Sequence, residues 1–97
     1  MTIRYHALAR KEVIAAAEYY AQERRELGAE FLEEMDAAER RITANPLQFE
    51  QVRPGIRRCL LDRLPFGICF RVSDAGTVRI IVVKHHGRRP GLGIRRK

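Results

Sequence analysis

No acidic residue follows Asp74, no tyrosine follows Tyr20, and the 97-residue chain holds only two cysteines. No apolar run approaches the roughly 18 residues that a membrane-spanning helix needs. The opening residues, MTIRYHALARKEV, lack the apolar stretch of a secretion signal. The expectation is a cytoplasmic protein with no membrane partner, folded as one domain over residues 1–97 around a modest core. Cys59 and Cys69 match neither a C-x-x-C redox pair nor a metal-ligand spacing. Their neighbours, Cys59-Leu60-Leu61 and Ile68-Cys69-Phe70, make them read as reduced, buried, small hydrophobes.

The acids that are present sit mostly in the first half. Up to Phe49, seven Lys/Arg stand against nine Asp/Glu; from Glu50 onward, twelve stand against three. The net charge of +7 therefore resides in the second half, the footprint of an anionic partner: nucleic acid, an acidic protein surface or a membrane face. An arginine-rich genome explains a high total, since 16 of the 19 basic residues are Arg, but not this sorting.

Hydrophobic periodicity divides the chain. Thr2 to His6 reads as a short strand. From about Leu8, Val13, Ala16, Ala17 and Tyr20 recur at helical spacing, with Lys11, Glu12, Glu18 and Gln22 off the stripe. A second helix puts Leu27, Phe31, Met35, Ala38 and Ile42 on one face, with Glu30, Glu33, Glu34, Glu39 and Arg40 outside. Asn45-Pro46 ends it, because proline disfavours helical geometry in the residue before it. The short link from Arg24 to Leu27 makes the pair an antiparallel hairpin. A polar loop, Leu47 to Gly55, then leads to three strands: Arg57 to Arg63, Phe66 to Ser73 and Thr77 to Lys84.

The fold class is α+β, in the order β-α-α-β-β-β, with the helical hairpin packed on one face of a small, mostly antiparallel twisted sheet. Ser73-Asp74-Ala75-Gly76-Thr77 reads as a hairpin loop. If Ser73 faces Thr77, then Phe70 faces Ile80, and Ile68, Val72, Val78 and Val82 share the face under the helices. Cys69, Ile81 and Val83 fall on the other face, with Arg71 directly opposite Arg79. Like charges across strands are unfavourable, so the two arginines either splay into solvent or form an anion-binding face. Phe66 and Phe70 are expected near an exposed edge.

The densest cationic cluster follows the last strand, in VVKHHGRRP, Val82 to Pro90. His85-His86 has no regular metal-ligand spacing and His6 is remote, so neither a metal nor a cofactor is expected. Adjacent residues at a strand end point to opposite faces. At most one of the two histidines therefore belongs to a site.

A helical hairpin closed by Asn45-Pro46, followed by Ile56-Arg57-Arg58, Leu64-Pro65-Phe66, Phe70-Arg71-Val72 and His86-Gly87-Arg88-Arg89-Pro90, resembles the RelE/ParE superfamily of bacterial toxins. The likeness covers nearly the whole chain. It implies the toxin half of a type II toxin–antitoxin pair, associated with plasmid stabilization and growth inhibition, and held inactive in a hetero-oligomer with a cognate antitoxin. RelE-like members cleave messenger RNA in the ribosome; ParE-like members act on DNA gyrase. RelE-like ribonucleases follow the aromatic that opens the third strand with an arginine; here Gly67 follows Phe66. They often carry a tyrosine or other base beyond the final strand, and this chain has no tyrosine after Tyr20. The run from His86 to Pro90 is closer to the ParE-like pattern, although the tryptophan usual near that family's C-terminus is replaced by Gly93 or Ile94.

The resemblance thus implies a ParE-like, non-enzymatic inhibitor of DNA gyrase. Its target-binding residues are then Arg63, Lys84, His86, Arg88 and Arg89, with Arg71 and Arg79 on the sheet. The alternative is a RelE-like, metal-free endoribonuclease acting on ribosome-bound mRNA. It needs a base for the 2′-hydroxyl, cations for the crowded phosphate and an acid for the leaving oxygen. His86, the histidine inside the motif, would work there with Arg57, Arg58, Arg88 and Arg89. A small basic binding module without toxin activity is the third reading. Geometrically, Arg63 and Lys84 are expected at the His86 loop, and at least one of Arg57 and Arg58 on the face away from the helices. A shared site would need the C-terminal tail to fold back over the concave face, a bend that Gly91 and Gly93 permit.

Overall fold

In the computed structural model, which describes residues 1–97, the elements are β1 (Thr2–Tyr5), α1 (Ala7–Glu23), α2 (Arg25–Ala44), β2 (Gln51–Arg53), β3 (Ile56–Leu60), β4 (Phe66–Val72) and β5 (Thr77–His85). His6 starts α1 by accepting a hydrogen bond from the Leu8 amide on Nδ1, which satisfies one of the unpaired donors of the first turn. A single extended residue, Arg24, separates the two helices. The stripe on α2 is buried as its spacing requires, with Phe31, Met35, Ala38 and Ile42 at 0–3 % exposure. Pro46 begins a short 3₁₀ turn instead of continuing the helix.

The fold is α+β, with the helical hairpin covering one face of a mixed, mostly antiparallel five-stranded sheet. Strand order is β1-β5-β4-β3-β2, and only β1 runs parallel to its neighbour, β5. β2 lies inside the segment expected to be a polar loop. Its three residues are too few to show alternation. β3 also ends at Leu60, earlier than expected. Arg63 and Leu64 instead form a turn whose amides donate to Oε1 of Glu34. Glu34, expected on the outer face of α2, is therefore buried at 8 % exposure.

The β4–β5 hairpin has the expected register near its loop, Val72 opposite Val78, Arg71 opposite Arg79 and Phe70 opposite Ile80. The next residue of β4, Cys69, then faces Val82, so Ile81 is an extra residue on β5. Such a bulge shifts the alternation by one position. Val83, not Val82, joins the core under the helices, with Ile68, Phe70, Val78 and Ile80. Val82 moves to the opposite face with Ile56, Cys69 and Ile81, a smaller cluster against which Val52 and Ile94 pack. The expected placement of these two valines is thus reversed. Phe70 is fully buried and Phe66 stacks edge-on against Tyr20 and Phe31, so neither lies at an exposed edge. Cys59 and Cys69 are free and buried, and burial raises both thiol pKa values.

Candidate functional site

The residues after β5 return across the sheet face that the helices leave open. The His86 amide donates to the Pro65 carbonyl, and Arg88 N donates to His85 O. A series of tight turns follows, from Leu92 N to Arg89 O, Ile94 N to Gly91 O and Arg96 N to Gly93 O. Gly93 is at φ +75°, and a Cβ there would lie 2.6 Å from Cγ2 of Val82. A side chain would therefore lift the tail. The facing arginines of β4 and β5 hold it down. Arg71 donates to the Ile94 carbonyl at 3.4 Å, while Arg79 donates to the backbone oxygens of Lys97 at 3.2 Å and Tyr5 at 3.3 Å. Their proximity is tolerated because each guanidinium is turned onto carbonyl oxygens.

Between this tail and the β2–β3 hairpin lies a cleft of about 460 Å³. Gly67 and Cys69 line its floor, Val52 and Ile94 give it apolar walls, and Arg53, Arg58, Lys84, His86 and Arg88 supply positive or titratable groups. The one acid is Glu50, which Arg58 engages at 3.1 Å. Lys84 is fixed by donating Nζ hydrogens to the Arg89 and Pro90 carbonyls at 3.0 and 2.6 Å. No acid neutralises it. The bulge at Ile81 makes this arrangement possible: unbroken alternation from Ile80 would aim Lys84 and His86 at the helices.

The two histidines diverge as strand geometry requires. His86 lines the cleft, whereas His85 packs edge-on against Phe66 and faces the α1 side, its Nδ1 accepting from the Gly87 amide. Arg57 and Arg58 diverge likewise. Arg58 opposes Cys69 on the open face; Arg57 opposes Phe70 and donates to the Phe49 carbonyl at 2.7 Å and that of Leu47 at 3.4 Å. Arg63 departs from expectation. Its backbone lies in the turn that holds the His86 loop, but its side chain leaves that loop for Glu30 of α2 at 3.5 Å. Arg89 is exposed and contributes its carbonyl to Lys84. Arg53 and Glu50 carry no signal in the sequence, and Ile94 stands out only as a position where the family's usual tryptophan is missing. The unrecognised β2 hid the first two, and Ile94 stood in a stretch without regular periodicity. No cluster of three or more His, Cys, Asp or Glu side chains converges anywhere.

A sequence model of the ParE toxin of the type II toxin–antitoxin system parDE matches residues 3–90. The chain belongs to the ParE toxin family. Its fold is also that of a solved structure titled "Chromosomal ParDE TA system from P. aeruginosa", with a TM-score of 0.75 at 19 % identity over 88 % of this chain and 95 % of that one. Among individually curated proteins, none matches significantly. The family match spans β1 through the His86 loop of this ParE-family chain, and so includes most of the residues that line the cleft. No helix is long and apolar enough to cross a membrane.

Proposed function

We propose that this ParE-family toxin acts in the cytoplasm as a non-enzymatic inhibitor of DNA gyrase, engaging it through the His86 loop and the cleft beside it, and that a cognate antitoxin neutralises it in a hetero-oligomer. The observation that carries the non-catalytic reading is the separation of Arg57 from His86 on opposite faces of the sheet. The set His86, Arg57, Arg58, Arg88 and Arg89 does not converge, so a phosphate beside His86 would lack one of its cations. Gly67 on the cleft floor adds no charge in its place.

An antitoxin partner is supported by the groove between β1 and the helices, where Ile3, Tyr5, Val13, Leu32 and Met35 lie beside Arg10, Asp36 and Glu39. Leu8, Ile14, Tyr19 and Leu32 are 46–60 % exposed on the helical surface. An amphipathic segment would bury that surface, and acidic residues on it would offset the +7 charge. The ribonuclease reading retains one supporting feature, the presence of His86, Arg58 and Arg88 around one cleft. Induction in growing cells, with DNA synthesis and translation followed by labelled precursor incorporation, separates the two. DNA synthesis should stop first; an earlier arrest of translation with cleaved mRNA would establish the ribonuclease instead.

A further inference from the structure

The cations of the basic half fall into two groups once their partners are known. Arg57 is spent on the carbonyls of Leu47 and Phe49, Arg63 on Glu30, Arg71 and Arg79 on the returning tail, and Arg96 on Glu12. Those side chains build the fold. The group around the cleft is differently placed. Arg88 makes no side-chain hydrogen bond or ion pair, and Arg53 donates only to the carbonyl of its neighbour Val52. Lys84 is held rigidly by two carbonyls and keeps its third N–H free, and Arg58 shares its charge with Glu50. A concave surface carrying this much unneutralised positive charge favours a polyanion.

The lining also restricts which polyanion fits. No Phe, Tyr or Trp lines the cleft; Phe66 and His85 turn toward the helices, and His86 is the single aromatic ring there. Single-stranded nucleic acids are gripped largely by stacking successive bases on several aromatic rings, and one imidazole offers no such series. Duplex RNA is read through its 2′-hydroxyls and phosphates. Here no Ser, Thr or Asn lines the cleft, and the one amide, Gln51, has its Oε1 engaged by the Gly55 amide, which leaves only its Nε2 as a neutral side-chain donor. What remains is a lining dominated by cations suited to phosphate contacts.

We propose that the cleft and its rim bind the phosphodiester backbone of duplex DNA without sequence preference, through Arg53, Arg58, Lys84 and Arg88. The interaction uses the surface that the gyrase reading also claims, and it is measured on the purified chain with no gyrase present. It gives the toxin its own hold on DNA. Each phosphate neutralised contributes about −0.9 to the slope of log affinity against log salt.

The test is fluorescence anisotropy of the purified full chain with a short labelled DNA duplex across a salt series. Arg53 and Arg88 are exposed, so the double variant Arg53→Gln/Arg88→Gln is expected to fold, which its melting curve checks. It should lower the magnitude of the salt slope by about two. The matched control Arg24→Gln/Arg25→Gln removes the same charge where the two helices meet, from exposed side chains without partners, and should leave the slope unchanged. Equal losses in the two double variants would reduce the effect to net charge and overturn the proposal. So would the absence of salt-dependent binding. Tighter binding of duplex RNA, of a single strand or of a polyglutamate peptide would reassign the cleft to that ligand and equally overturn it.

Discussion

The Arg96 guanidinium donates to Oε1 of Glu12 at 2.9 Å, joining the C-terminal tail to α1 across the open edge of β5. Pairing between β1 and β5 ends at Tyr5 and Ile80, and the His6 amide makes the last bond, to the Ile80 carbonyl. Beyond that point the edge of β5 is completed by side chains. Oε1 of Glu12 accepts from the Val83 amide at 3.0 Å, and Arg96 donates to the Ile81 carbonyl at 3.0 Å. The ion pair thus continues the strand edge where β1 stops, next to the bulge.

Removing that acceptor orphans a part-buried amide, which costs about 1–3 kcal/mol. Glu12→Ala should lower stability by about that amount in chemical denaturation, and Glu12→Gln, which keeps an oxygen for Val83, by less. Equal losses would mean that the Val83 bond contributes nothing.

Gly93→Ala should loosen the tail, since both its φ of +75° and the 2.6 Å approach to Val82 exclude a side chain. Gly91→Ala is the control, because no atom lies within 4 Å of a Cβ there. Limited proteolysis should cut the Gly93 variant faster after Pro90 and leave the Gly91 variant like the parent protein. Matching digestion rates would argue against the steric account.

Both thiols are protected by burial, with Cys59 at 0 % and Cys69 at 3 % exposure and both pKa values raised. Alkylation of the native protein at mildly alkaline pH should be slow at both and fast once the chain is denatured. Lifting the tail by Gly93→Ala should accelerate Cys69, which floors the cleft, and spare Cys59 in the helix-covered core. Acceleration at both would indicate global unfolding.

Tyr5 donates to Glu39 at 2.6 Å, and its pKa is pushed well above the ordinary tyrosine value, first by burial and then by that carboxylate. Above about pH 10 the unfolded chain releases this proton while the folded chain keeps it. The stability contributed by Tyr5 is therefore intact below that pH and declines as pH rises beyond it. Tyr5→Phe should be less stable at neutral pH, where Glu39 loses its donor, but should decline less steeply under alkaline conditions. Parallel denaturation midpoints against pH for the two proteins would contradict the assignment.

Growth arrest should depend on the cationic rim as a set. Arg88→Ala and Arg89→Ala should each weaken it in part, and their effects should accumulate, whereas Arg57→Ala should act through stability because Arg57 ties the Leu47–Phe49 turn to β3. If His86→Ala alone abolishes arrest in a folded protein that still binds its antitoxin, catalysis must be reconsidered.

The helical hairpin, the three longer strands and the sorting of charge were legible from the residues. Each follows from local properties: the 3.6-residue and 2-residue periods, the proline after Asn45 and composition. The superfamily resemblance was legible for the same reason, since its motifs are short and keep their order. β2 was not, because three residues carry no period. Glu12 and Glu34 looked like solvent-facing acids from their positions on the helices. Their partners, the amides of Val83, Arg63 and Leu64, lie 29 to 71 residues away in the chain.

The sequence by itself determined that the second half of this protein would be basic and would end in a cationic loop after a doubly buried strand. Only the tertiary structure decided which cations share a surface. One extra residue at Ile81 reverses the alternation, so Lys84 and His86 open onto the cleft, while the pairing of β3 with β4 sends Arg58 to that face and Arg57 beneath the other. Side-chain direction along a strand has a period of two. The bulge is set by how two strands pack against helices and tail at once, and that choice resides in contacts between segments.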